Sequence, residues 1–153
     1  MVQVEELCKL SRIIYNDVIH RFPDWEQFAM DVECDYDPNL RCLWIKVPSL
    51  GSPGYYLSLL ERGDCVEISF GEEAPPNIAE QQLDENSSED ILNFLKSVVS
   101  ERLAIARETR SWKNLFLGDS LGFISTDQID QKRFEEIISW NGTYNFSSKS
   151  TTA

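Results

Sequence analysis

The chain contains one histidine, His20, and so has a single imidazole for acid–base work. A serine or cysteine nucleophile needs a base beside it. His20 lies near the end of a predicted helix, with no nucleophile elbow around it, where a histidine commonly meets the free helix carbonyls. Metal-binding spacings are missing as well: no Cys-x-x-Cys, His-x-x-x-His or Glu-x-x-His occurs, so no zinc site is expected. Asp31, Glu33, Asp35 and Asp37 alternate, but they lack the glycine and the closing glutamate of a calcium loop, which leaves a solvated strand face. Gly118-Asp119-Ser120-Leu121-Gly122 is too short to cradle a phosphate. No apolar run approaches the roughly 20 residues that span a bilayer. The opening MVQVEELCKLSRIIYND has no basic stretch followed by an apolar core, so a signal peptide is not expected either. Cys8, Cys34, Cys42 and Cys65 are far apart and mostly in apolar stretches, the pattern of buried reduced thiols, with a Cys34–Cys42 disulfide across a hairpin as the alternative. These absences predict a cytoplasmic protein without cofactor or catalytic residues.

Basic residues are also scarce. Lys and Arg total 14 against 26 Asp and Glu, a net charge of −12. Residues 61–101 carry eleven of the acids and two bases, a net −9, so the rest of the chain holds only −3. Such a surface repels nucleic acid phosphates and anionic membranes and accelerates encounter with basic proteins. The 153 residues fit one domain, and 42% hydrophobic content with 11% aromatics suffices for a packed core.

Residues 3–21 have helical periodicity, with Val4, Leu7, Leu10, Ile14, Val18 and Ile19 on one side, and Pro23 ends the run. From Phe28 to Cys34 apolar and polar residues alternate as in a half-buried strand, and Asp35–Asn39 supplies turn chemistry. Leu43, Ile45 and Val47 define the clearest strand, over 41–48; Tyr55–Leu60 and Cys65–Phe70 follow after short links. Four strands in such close succession favour an antiparallel meander. Gly71–Ser87 shows no period and reads as a long acidic surface loop. Ser87 or Ser88 caps a second helix, with Glu89 and Asp90 in its first turn and Ile91, Leu92, Phe94, Leu95, Val98 and Val99 directed at the sheet. Strand-like segments at 103–109, 114–117 and 120–125 come next, then Ile137–Trp140 and Thr143–Phe146 around Asn141-Gly142, a type I′ hairpin signal. The expected fold is α+β: an N-terminal helix, an antiparallel meander, a second helix packed on the sheet and a C-terminal β-hairpin. It forms a single domain over 1–146, followed by a disordered polar tail at 147–153.

With no reactive centre, function falls to the surface. Trp44, Tyr55, Tyr56, Trp112, Trp140 and Tyr144 lie on strands or turns, and Trp112 lies in a turn where burial is hardest, which suits a partner-facing anchor. Glu72, Glu73, Glu80, Asp84 and Glu85 are its acidic companions. Trp44-Ile45-Lys46-Val47-Pro48-Ser49, the strand Tyr55–Leu60, Val66-Glu67-Ile68-Ser69-Phe70-Gly71, the acidic loop and the 91–103 helix together resemble immunity proteins of bacterial polymorphic-toxin and contact-dependent inhibition systems. The resemblance covers residues 25–125 and departs from the pattern at Glu72-Glu73-Ala74-Pro75-Pro76, where some relatives carry histidines and aromatics. It implies a cytosolic antidote that binds a cognate toxin, with a basic nuclease as the fitting target. The competing expectation is a type III secretion chaperone, an acidic homodimer of similar size.

Overall fold

Helix α1 spans Lys9–Arg21 rather than starting near residue 3. Cys8 sets the boundary: its backbone is extended and its sulfur accepts the Ser11 N–H, so it caps the first turn. Ahead of it Val4–Glu6 form only a single 3-10 turn, and Leu7 makes a parallel bridge to Arg41. Ser11, Ile14, Tyr15 and Val18 are the buried side of α1. The computed structural model describes residues 1–63, 65–73, 78–84, 88–108 and 121–148.

After a 3-10 segment at Pro23–Phe28 come β1 (Ala29–Glu33), β2 (Arg41–Pro48), β3 (Tyr56–Glu61), β4 (Cys65–Gly71) and β5 (Ile78–Asp84). They form one antiparallel sheet in the order β1-β2-β3-β4-β5, the meander expected from the short links plus one further strand. In β2 Leu43, Ile45 and Val47 are buried, and in β4 Val66, Ile68 and Phe70 are wholly so. β5 replaces part of the loop expected over 71–87. Only Ala79 in it is buried, so the alternation that identifies a half-buried strand is missing from its side chains, and its backbone ladder makes it a strand.

Helix α2 (Ser88–Val99) buries Ile91, Leu95 and Val98. A second antiparallel sheet follows, in the order β7-β6-β8-β9, from β6 (Leu103–Glu108), β7 (Gly122–Ser125), β8 (Phe134–Ile138) and β9 (Phe146–Ser147). The strand expected at 114–117 lies outside the described residues. The Asn141-Gly142 turn is not the predicted two-residue connection, because β8 and β9 pair only at Glu136–Ser147 and Ile137–Phe146. Between them Ser139–Asn145 is held by side chains: Asn145 Oδ1 accepts the Ser139 N–H at 2.8 Å, and Asn145 Nδ2 donates to Ser52 Oγ at 2.9 Å. These bonds displace the ladder that a tight turn would need. The chain folds as two compact units, Met1–Val47 with Leu57–Ser69 and Gln81–Leu95, and Pro48–Tyr56 with Phe70–Glu80 and Lys96–Ala153.

In the second unit Gly51 packs directly on that turn. Its N–H donates to the Trp140 carbonyl at 3.0 Å, and a Cβ placed on it would overlap the Asn141 backbone. Gly51→Ala is therefore expected to lower stability by about 1–3 kcal/mol, since neither backbone can yield cheaply. Urea unfolding reads this directly, and an unchanged midpoint would contradict it.

Candidate partner interface and a buried acid–thiol cluster

Glu72, Glu73, Glu80 and Asp84 are all exposed. Glu80, Gln81 and Gln82 are exposed in succession, so this part of β5 shows water on both faces. Among the described residues β5 is also the terminal strand of its sheet, and a terminal strand leaves one row of backbone groups for water or a partner. Glu85 and Trp112, expected at the same interface, lie outside the described residues. Of the other aromatics singled out, Trp140 is buried, Trp44, Tyr55 and Tyr56 are half-buried, and Tyr144 is exposed. Trp44 spends its indole N–H on Ser58 Oγ at 2.8 Å.

Around Tyr55 the second unit has an open cavity of about 340 Å³, lined among others by Ser52, Pro53, Tyr55, Glu136 and Phe146. Burial pushes the Tyr55 phenol up to about 12, and the Glu136 and Glu72 carboxylates push the same way while Arg107 opposes them, which puts all three charges in its electrostatic reach. Aromatic surface and carboxylates thus occur together on this unit, with Glu136 itself paired to Arg107 at 3.8 Å.

Two of the alternating acids of the first strand and turn, Asp31 and Asp35, are drawn into ion pairs. Asp31 meets Arg41 at 2.8 Å, and that hydrogen-bonded guanidinium holds the Asp31 carboxyl below its usual range despite opposing burial. Asp35 meets Arg62 at 3.4 Å.

A second constellation has no motif in the sequence. In β3 the residues facing inward are Leu57, Leu59 and Glu61, so a leucine face runs into a carboxylate that is 2% exposed. Four donors converge on it. Gly63 N–H reaches Oε1 at 2.6 Å, while Oε2 accepts from Ser11 Oγ at 3.2 Å, Tyr36 Oη at 3.2 Å and the Cys8 thiol at 3.4 Å. Ser11 Oγ in turn accepts the Leu43 N–H at 2.9 Å, which fixes its hydroxyl toward Glu61. Gly63 has φ +102°, and a Cβ there would strike the Tyr36 ring at 2.8 Å, so the turn needs glycine to bring its N–H to the acid. The Tyr36 ring is half exposed, but its hydroxyl dips inward. Burial, together with Cys8 and Glu61, holds that phenol far above its ordinary range.

Cys34 and Cys42 are joined in a disulfide, against the expectation of reduced thiols throughout. The β1–β2 hairpin is the cause: Cys34 N–H bonds to the Leu40 carbonyl, and the two Cα atoms stand 5.3 Å apart, inside the window for a bridge. Cys8 and Cys65 are outside any disulfide, Cys8 buried and Cys65 half-buried. The Cys8 and Cys42 sulfurs and a Glu61 oxygen all lie within 4.8 Å of one another. Sequence spacing hid this group because its members come from the α1 cap, from β2 and from β3. The one available signal was Glu61 at the period-two position after Leu57 and Leu59.

Comparison with protein-family models, curated proteins and solved structures finds no match to the chain. No helix among the described residues is long and apolar enough to cross a membrane.

Proposed function

We propose that the protein is a cytoplasmic, non-catalytic immunity protein of a bacterial toxin system, which binds a cognate basic toxin through an acidic surface that includes β5. The observation that carries this reading is the run Glu80–Gln82, exposed on both faces of a terminal strand, with Asp84 exposed at the strand's end and Glu72 and Glu73 exposed after β4. A strand whose side chains build so little core is suited to presenting groups outward. Its carboxylates fit where a nuclease would seat phosphates, and its outer backbone row can add a strand from the partner.

Co-expression with the toxin-like product of the neighbouring reading frame tests the reading. Growth is expected only when this protein is present, with a purified complex that weakens as salt is raised. Toxicity undiminished by this protein, or a complex indifferent to salt, would overturn it.

A further inference from the structure

Glu61 raises a problem of charge. A carboxylate removed from water costs several kcal/mol unless it is paired. Yet among the described residues no lysine or arginine pairs with it, since Arg62 turns to Asp35 and Glu67 and Arg41 to Asp31. Its four donors are neutral groups. Beside it stand the sulfurs of Cys8 and Cys42, the latter bridged to Cys34, all on residues less than a tenth exposed. Two sulfurs and a carboxylate already in place, with a third sulfur bonded to one of them, form the donor set of a thiolate-rich divalent site.

We propose that Cys8, Cys34, Cys42 and Glu61 constitute a zinc-binding site, filled when the Cys34–Cys42 bridge is reduced. The site stands independently of the toxin-binding reading. Tetrahedral zinc holds thiolates at about 2.3 Å, which places ligand atoms about 3.7 Å apart. The Cys8 sulfur already sits 3.4 Å from Glu61 Oε2, and both lie within 4.8 Å of the Cys42 sulfur. Reduction releases the Cys34 sulfur to separate from Cys42 and take the fourth position. The outer contacts exist as well. Ser11 N–H points at the Cys8 sulfur, Gly63 N–H and Ser11 Oγ hold Glu61, and the Tyr36 hydroxyl lies 3.7 Å from the Cys42 sulfur. Such second-layer donors orient ligands and moderate thiolate charge. A cavity of about 280 Å³, lined by Tyr36, Cys42, Trp44, Glu61 and Arg62 among others, gives the ion a way in.

With a phosphine as reductant, water is the co-reactant: its oxygen goes to the phosphine oxide and its two protons to the thiols. A phosphine or dithiol reductant gives two electrons to the disulfide and is itself oxidised, two protons complete the Cys34 and Cys42 thiols, and coordination then releases three thiol protons to solvent. Soft thiolates select zinc over magnesium or calcium. In an oxidising compartment the same residues keep the bridge and lose the site.

The test uses the full chain, reduced with a phosphine and kept anaerobic, with cobalt(II) as an optical probe and zinc as competitor. The expected result is one equivalent of tetrahedral cobalt with a thiolate charge-transfer band, displaced by zinc and missing from the oxidised protein. Zinc should also shield Cys8, Cys34 and Cys42 from alkylation while Cys65 still reacts, read by peptide mass spectrometry. Glu61→Gln should weaken zinc binding about tenfold or more, and Cys65→Ser should leave it unchanged. A reduced wild-type chain with no charge-transfer band, or with the same alkylation pattern with and without zinc, overturns the proposal whether or not any variant folds.

Discussion

Replacing Glu72, Glu73, Asp84 and Glu85 by lysine will slow association with the proposed basic partner by about 10–100-fold at low ionic strength, with a smaller change in the dissociation rate. Each reversal adds two charges, so the net charge moves from −12 to −4. The residues altered belong to the segment that holds most of the excess. Long-range attraction acts on the approach of the two proteins, which is why the effect belongs to the association rate. Raising salt from 0.1 M to 1 M shortens the screening length from about 10 Å to about 3 Å, so wild type and variant should converge. Four reversals at Glu5, Glu6, Asp24 and Asp127, all exposed, give a control of equal net charge. Stopped-flow mixing separates the cases. Equal slowing in the control would assign the effect to total charge, and unchanged rates in the first variant would remove the acidic surface from the mechanism.

How much of the molecule was legible in advance depended on where each element gets its stability. β2 and β4 were readable because their inward residues, Leu43, Ile45 and Val47, then Val66, Ile68 and Phe70, are buried at every second position. Burial wrote the period into the side chains. β5 was not readable because a terminal strand covers little core, and Ala79 alone records its inward face. The start of α1 was misplaced for a related reason: Val4 and Leu7 fit the helical period, but Cys8 caps the helix after them and Leu7 is spent on a bridge to Arg41. For the candidate site, exposure of the four described acids followed from the local excess of acids and the absence of a hydrophobic period. The Glu61 cluster did not, because sequence motifs mark ligands that share one loop or helix, whereas Cys8, Cys42 and Glu61 are joined only by folding. The Asn141-Gly142 signal located a turn correctly and its length wrongly. Hydrogen bonds that join Asn145 to the Ser139 N–H and to Ser52, distant from it in sequence, decided the local conformation.

Glu101 carries the other large expected effect, and it tests two opposing terms. It follows α2 at φ +60°, the left-handed conformation in which a side chain costs about 1–2 kcal/mol and glycine costs nothing. On backbone grounds alone Glu101→Gly should stabilise the protein. The carboxylate argues the other way: it is 7% exposed, and its Oε1 accepts from Ser139 Oγ at 3.0 Å, Asn141 N–H at 2.5 Å and Thr143 N–H at 3.3 Å. Hydrogen bonds to a charged group contribute about 1.5–3 kcal/mol each, so three of them outweigh the relief of one strained residue. Glu101→Gly is therefore expected to lose at least about 2 kcal/mol at neutral pH and to loosen the Ser139–Asn145 turn.

The same bonds set the pH dependence. Burial alone would raise the Glu101 pKa, but the hydrogen bonds from Thr143, Asn141 and Ser139 outweigh it, and the folded pKa falls below 4.5. A carboxyl with a depressed folded pKa contributes stability that is present above its unfolded pKa and lost as pH falls through the folded one. The gap between wild type and Glu101→Gly should therefore be full at pH 7 and shrink on acidification below about 4.5. Urea unfolding of both proteins across that range measures it. A variant as stable as wild type at pH 7 would mean that backbone strain, and not the carboxylate, decides this corner of the fold.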